Sequence, residues 1–588
     1  MKKIQVYWKK NWYIGILILA MLISLGIRAW NIEDTLYFRM DQARDAQLIK
    51  AAFDGGIGEL PLLGPRAAGS FLRLGPVFYY SQFISAEIFN SVEPYVLAFP
   101  DLLFSILTIP LFYYFLRSFF SKKVSIGVTL VFASSFLLTQ YARFAWNPNS
   151  IPFWFLLTII SGYKTAIGKG SKEAGKWLIL TVTAYSIASQ LHFTAFLSLP
   201  VVIGIFWLFN WPKKIKFRFW ALALGVLLFF YSPMLISEFF TDFDNSHQFL
   251  YALSSKGSDP ISLSTQLERS LRLHAKYYSL VLTSYGNIKA NEFIGAFLFM
   301  IFFSIWRFRV SWTKEKWKTK KSFILMIICW FSVFVVLYSK LAMDISKPRF
   351  WLLIAFLPFV FLALVLQWLE SFKHKKTAKT VTVVLIGILI SFNLYAVGYW
   401  YYSLEVQKIH QGFYVRDLQL KQTDLIGTKQ MKLTAAKWTA IAEKNNKQIC
   451  YTSEKEYLSP YEYILDVYYP GQATKRIKFS TDTNESCSFV SVRHGGTEGK
   501  NPIRKDHAEE FEIVSKKLYN RMVIWELEKK DILKEEKIMD KVTEKIEIEN
   551  FELTEQEEVE EENEKIKKLP RKPRVFWKHV FGTEKYEG

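Results

Sequence analysis

Residues 37–56 read YFRMDQARDAQLIKAAFDGG, with three carboxylates (Asp41, Asp45 and Asp54) and two guanidinium groups (Arg39 and Arg44). A helix sets residues three and four apart on one face, so Asp41, Arg44, Asp45 and Leu48 would lie together. A cation beside two carboxylates helps keep at least one ionised. An ionised carboxylate can take a proton from a hydroxyl, and a cation close by can hold an anionic leaving group such as a phosphate. The same spacing also describes a weakly stabilising ion pair on a solvated helix, and spacing alone favours that simpler reading. The surrounding chain decides between them.

The motif follows closely on a hydrophobic segment, NWYIGILILAMLISLGIRAW, long enough to cross the ~30 Å of a bilayer core. The 588-residue chain is 51% hydrophobic and holds 51 Phe, 30 Tyr and 19 Trp, which is unusual for a soluble protein. Its formal charge of +21 could suggest nucleic acid. The Lys and Arg, however, sit in short clusters between apolar runs, the pattern of cytoplasmic loops, so nucleic-acid binding is not expected. The basic start, with no small-x-small cleavage site, reads as an uncleaved first span with its N-terminus inside.

The apolar runs give about eleven spans by length and hydropathy. The fold class expected is an α-helical polytopic membrane protein, residues 1–402, followed by a small soluble α/β domain, 403–530, on the outer side, and a charged tail, 531–588. Two outward loops are long, 31–94 and 238–290. In the first, GPVFYYSQFISAEIF is apolar but short and reads as a helix lying at the interface. In the soluble part, LTAAKWTAIAEKN is helical in pattern, and KQICYTS, CSFVSVRH and MVIWELEK are strand-like. The terminal KLPRKPRVFWKHVFG reads as a flexible tail, with a membrane-surface contact as the alternative. Cys329 lies in an apolar run and reads as a packing residue. Cys450 and Cys487 are either a disulfide in an oxidising compartment or two unpaired core cysteines.

The order DQARDAQLIKAAFDGG, then LPLLGPRAAGSFLRLGPVFYY, then a span opening at PYVLAFPDLL resembles the first outer loop of membrane-embedded GT-C glycosyltransferases. The likeness is strongest to bacterial family 39 relatives of protein O-mannosyltransferases and to aminoarabinose lipid A transferases. There an Asp-Glu pair opens a short helix after the first span, and a basic Pro-rich aromatic stretch follows. Asp41 and Arg44 match that motif, Gln42 departs from its Glu, and RLGPVFYY corresponds to the later stretch with Arg73 as nearest cation. QYARFAWNPNSIPF, SQLHFTAFLSLP, SPMLISEFF and KPRFWLLIAFLPFV are also similar to pieces of these enzymes. All four fall at outward ends of spans in the topology drawn from charge alone, and the resemblance covers about residues 10–400.

The resemblance implies transfer of a sugar from a polyprenyl-phosphate donor to an acceptor hydroxyl (of a glycan, lipid or protein) on the outer side of the cell membrane, by an inverting displacement. It assigns Asp41 as base, with Asp45 secondary, and Arg44, Arg73 and Arg349 as phosphate ligands. Tyr79, Asp101, His192 and Glu238 are substrate- or acceptor-side candidates. His192 and Glu238 have plainer readings, a histidine bonding a neighbouring helix and an exposed loop acid, whereas Asp101 is a carboxylate at a span's outer end, costly in lipid and so usually purposeful. Arg349 could equally snorkel to the interface, and Arg143, Trp146 and Asn147 read as a structural outer turn. No metal or other cofactor is expected, since DQ is not a metal-binding DxD. The alternative function is a transporter or flippase of a lipid-linked glycan, for which inverted repeats and charges near the bilayer midplane would be expected. Neither is evident in the sequence.

Overall fold

The computed structural model describes residues 2–67, 72–212, 215–255, 262–284, 314–340, 348–370, 374–406, 427–446, 448–453, 455–470, 474–476, 487–494, 511–519, 522–529 and 572–587, with Gly295, Phe299 and Phe372 singly. Five of the described helices are long and apolar enough to cross a membrane: Asn11–Ala29, Pro94–Arg117, Phe217–Phe240, Lys321–Lys340 and Lys375–Glu405. A sixth crossing exists if Pro348–Ile354 and Phe356–Leu369, bent by 49°, form one span.

The other expected spans divide by cause. Ile151–Ile167 and Phe193–Phe209 are apolar helices of 17 residues, about 25 Å long at 1.5 Å per residue and so at the short limit for a bilayer. Ser171–Leu191 is longer but opens on the polar turn SKEAGK. The run 124–142 breaks after Ala133 and restarts at Phe136. EFIGAFLFMIFFSIW lies outside the described residues, apart from Gly295 and Phe299. Phe217, Leu222, Phe229 and Phe239 are more than half exposed along one helix. Such a surface is stable only against lipid, and the chain is a multi-pass membrane protein.

Buried polar side chains tie the helices together. Asn393 Nδ2 donates to Leu282 O (2.7 Å), and its Oδ1 accepts from Phe136 N–H (3.0 Å) and Ser284 Oγ (2.8 Å). At the end of the first span, Arg28 donates to Ser105 O and Ala133 O. Arg143 donates to Trp30 O and Thr35 Oγ1, both at 2.7 Å, with its guanidinium over the Tyr401 ring. This fixes where the chain leaves the bundle, and Arg143 is structural, as its sequence context suggests.

Beyond that point the helix Met40–Gly55 forms. The Gln42 amide accepts the Arg39 N–H at 3.2 Å and closes its N-terminus. Gly56, at φ +85°, ends it with a bond to Ala52 O. Its buried face is Gln42, Ala43, Asp45, Ala46, Ile49 and Ala52, mostly small residues that let the helices Val77–Phe89 and Lys455–Tyr468 pack closely. Val77–Phe89 has 13 residues, too few to span, and exposes Ile84, Ile88 and Phe89, as a helix at the interface would.

The C-terminal strands are β1 (Gln448–Ser453), β2 (Thr474–Arg476), β3 (Cys487–His494), β4 (Phe511–Tyr519) and β5 (Met522–Lys529). They form one sheet in the order β2-β1-β3-β5-β4, parallel at β1/β2 and β1/β3 and antiparallel elsewhere. Helices Thr428–Asn445 and Lys455–Tyr468 join the sheet to the first outer loop. Tyr463 OH donates to Val92 O (2.5 Å), Tyr468 OH to Glu93 Oε2 (2.8 Å), and Lys432 pairs with Glu33 at 2.6 Å. Cys450 is disulfide-bonded; Cys329 is buried and free.

Residues 572–587 differ from the flexible tail read in the sequence. They return to the first outer loop as an extended pairing followed by a helical turn. Leu62 N–H donates to Val575 O (3.0 Å) and Trp577 N–H to Leu60 O (3.1 Å). Val575 is buried. Backbone pairing plus apolar burial overrides the polar composition that suggested a loose end.

Candidate active site

Asp41, Arg44 and Asp45 share one helix face, with Arg44 between the carboxylates. Its Nη1 lies 3.0 Å from Asp41 Oδ1 and its Nη2 2.8 Å from Asp45 Oδ1, which also accepts Nε at 2.9 Å. The acids differ in environment. The Asp41 side chain is 45% exposed and faces water, while that of Asp45 is 1% exposed. Tyr79, fully buried on the next helix, donates its hydroxyl to Asp45 Oδ1 at 2.9 Å. Burial pushes the Asp45 carboxyl upward, opposed by the Arg44 charge and hydrogen bonds. Burial likewise raises the Tyr79 hydroxyl, with Asp45 adding to it. Each of these Arg44 nitrogens donates to an aspartate.

Arg73 lies on the returning arm of a tight hairpin, where Gly64 N–H donates to Leu74 O (2.8 Å), Leu74 N–H to Pro65 O and Ala67 N–H to Leu72 O. The arms meet so closely that a Cβ on Gly64 would stand 2.1 Å from Gly75 O. Arg66 faces Arg73 across this pairing. Asn245 clamps the arm from the second outer loop, accepting Arg73 N–H (2.8 Å) and donating to Arg73 O (3.1 Å). Glu238 holds that loop in turn, accepting Ser246 N–H at 3.2 Å. Burial, then the charges of Arg574 and Arg66, lower the affinity of Arg73 for its proton.

A second group lies around Trp146. Arg349 stacks over the Trp146 and Phe350 rings (5.4 and 5.2 Å), and the His192 ring meets Phe350 edge-on. His192 Nδ1 accepts Thr194 N–H at 3.1 Å and caps Phe193–Phe209. Asp101 is buried and accepts Trp146 N–H at 3.1 Å; Asn147 donates to Leu191 O at 2.7 Å. Tyr37 and Phe144 (5.1 Å), then Phe144 and Trp146 (5.8 Å), form an aromatic path from the irregular segment before Met40 to Arg349. Thus Asp41, Arg44, Asp45 and Tyr79 are in contact, Arg73 and Glu238 are linked through the second loop, and Asp101, His192 and Arg349 form a separate framework.

Sequence reasoning missed Arg66, Asn245, Lys572, Arg574 and Trp577. The only advance signal was the basic-aromatic run PRKPRVFW, and no spacing rule says where a segment 500 residues away will dock. Among the described residues, no three His, Cys, Asp or Glu side chains gather as a metal site would need.

The architecture is similar to that of a solved membrane protein, ArnT. The crystal structure of apo ArnT from Cupriavidus metallidurans superposes with a TM-score of 0.51 at 13% identity, covering 89% of this chain and 98% of that one. The same protein bound to undecaprenyl phosphate gives 0.50 at 12% identity, covering 88% and 97%. The archaeal oligosaccharyltransferase AglB from Archaeoglobus fulgidus is more distant, with a TM-score of 0.45 at 15% identity, covering 79% and 65%. No protein-family model matches the sequence, and no curated protein matches it either.

Proposed function

We propose that the chain is an integral membrane glycosyltransferase. It transfers a sugar from a polyprenyl-phosphate donor to an acceptor hydroxyl on the outer side of the cell membrane. The observation that carries this reading is the pair Asp41–Arg44, facing water beside an arginine hairpin and next to a helix of interfacial length. One carboxylate is poised for a proton where acceptors arrive, and cations stand where a lipid phosphate would lie.

In the reaction, Asp41 accepts the proton of the acceptor hydroxyl as that oxygen bonds the anomeric carbon. The bond from that carbon to the phosphate oxygen breaks, and its electron pair leaves on polyprenyl phosphate. A single displacement inverts the anomeric configuration, and the phosphate monoester that leaves needs no protonation. Arg44 holds Asp41 toward water, and Asp45 with Tyr79 anchors Arg44 from behind. Arg73 and Arg66 supply the charge that meets the phosphate, where a guanidinium offers paired donors. The ArnT structure with undecaprenyl phosphate supports a donor of this class.

Packing supports the orientation read from the sequence: the helix Lys455–Tyr468 and residues 572–587 both lie on the first outer loop. The bonded Cys450 favours an oxidising exterior for the α/β unit, with the N-terminus inside. Presenting the purified protein in liposomes with polyprenyl-phosphate hexoses and pentoses, with envelope extract as acceptor source, tests the proposal. Donor consumption with release of polyprenyl phosphate is expected. Binding without cleavage of any donor would overturn it and favour a transporter.

A further inference from the structure

The geometry points to the C-terminal end of the chain, residues 572–587, as a built part of the donor site: Arg574 and Lys572 complete an anion pocket begun by Arg66 and Arg73, and Trp577 walls the groove that takes the polyprenyl chain. This rests on the donor class proposed above.

The segment is held at several points on both outer loops. Its backbone pairs with Leu60 and Leu62. Lys578 bonds Glu59 at 3.2 Å, and Trp577 Nε1 donates to Tyr80 OH at 2.9 Å. On the other loop, Lys572 pairs with Asp242 at 2.8 Å, and Tyr586 meets Phe240 edge-on. So placed, it closes a small pocket whose charged lining is Arg66, Arg73, Lys572 and Arg574 against one carboxylate, Asp244. The room left is about 30 Å³, too small for a sugar. Arg574 also stands 5.7 Å from the centre of the Tyr79 ring, so the pocket adjoins the acids of the motif helix. Lys572 is already paired with Asp242, but the neighbouring arginine charges lower the proton affinity of Arg73, and an anion would relieve that repulsion.

The second observation is independent of charge. Along the Val77–Phe89 helix runs a groove of about 460 Å³, lined by Ile84, Phe104, Trp154, Phe229 and Phe230 among others, and Trp577 closes part of it. A basic pocket that takes Arg574 and an apolar groove that takes Trp577, three residues further on, match an amphiphile with an anionic head and a long hydrocarbon tail. A free phosphate would need only the first. A terminal segment serving only to stabilise the fold would need neither charge nor groove.

The test uses the full-length protein in nanodiscs, with undecaprenyl phosphate and inorganic pyrophosphate as separate probes. Arg574→Ala is expected to weaken both, by roughly tenfold or more, the loss of one charge-assisted bond. Trp577→Ala is expected to weaken the lipid alone. Arg574→Lys, which keeps the charge, provides the comparison should the alanine variant unfold, and should fall between wild type and Arg574→Ala. Binding of both probes unchanged within twofold in the Arg574 variants, with wild type still consuming donor, would overturn the inference and leave the glycosyltransferase reading intact. Pyrophosphate binding without lipid binding would overturn the lipid assignment. Failure of wild type to bind either probe would overturn both readings together.

Discussion

Asp41 and Asp45 are one helical turn apart, share Arg44, and should respond in opposite ways to removal. The Asp41–Arg44 contact is a half-exposed i, i+3 pair, worth about 0.2–1 kcal/mol, so Asp41→Asn should fold as wild type does. Its cost falls on rate. A positioned base contributes about 10²–10⁴-fold, or about 2.7–5.4 kcal/mol of barrier at about 1.36 kcal/mol per decade. Asp45→Ala should do the reverse. It removes the acceptor of the buried Tyr79 hydroxyl and one anchor of Arg44, and an unpaired buried hydroxyl costs about 1–3 kcal/mol. The two variants would be compared by thermal denaturation and by donor turnover at equal folded yield. The expected pattern is native stability with turnover down at least a hundredfold for Asp41→Asn, and clear destabilisation for Asp45→Ala. Full turnover in Asp41→Asn, or wild-type stability in Asp45→Ala, would refute this division of labour.

Two further outcomes follow from single features. Burial raises the Asp45 carboxyl, so its contribution to stability is fully present below its unfolded value and is lost as pH rises through its folded one. Wild type should therefore lose melting temperature relative to Asp45→Asn as pH rises through that range, and parallel curves would show that the Arg44 pairing cancels the effect of burial. A Cβ at Gly64 would press on Gly75 O, a backbone atom that cannot swing aside. Gly64→Ala should cost about 1–3 kcal/mol and displace Arg66 and Arg73, which thermal melting and polyprenyl phosphate binding would both register.

The multi-pass helical architecture was legible because hydrocarbon enforces long apolar helices and charge bias marks their loops. The positions of β1, β3 and β5 were legible from alternation. The motif helix was legible too, since three- and four-residue spacing alone puts Asp41, Arg44 and Asp45 on one face. Helix breaks at Ser134 and Ser135 were not, because the run around them is uniformly apolar and carries no periodicity to interrupt. The flexible ending read into PRKPRVFW was wrong because composition cannot weigh a backbone pairing to Leu60 and Leu62.

What the sequence determined by itself is therefore chemistry held within one element and the environment that element must occupy. It put two carboxylates and an arginine on one helix, just outside the first span. Only the tertiary structure decided which carboxylate meets water and which is buried against Tyr79, since that depends on which face the helices Val77–Phe89 and Lys455–Tyr468 cover. It alone brought Arg574 to Arg73, across 500 residues of chain. Contacts at that separation are set by the packing of whole elements, and no local spacing records them.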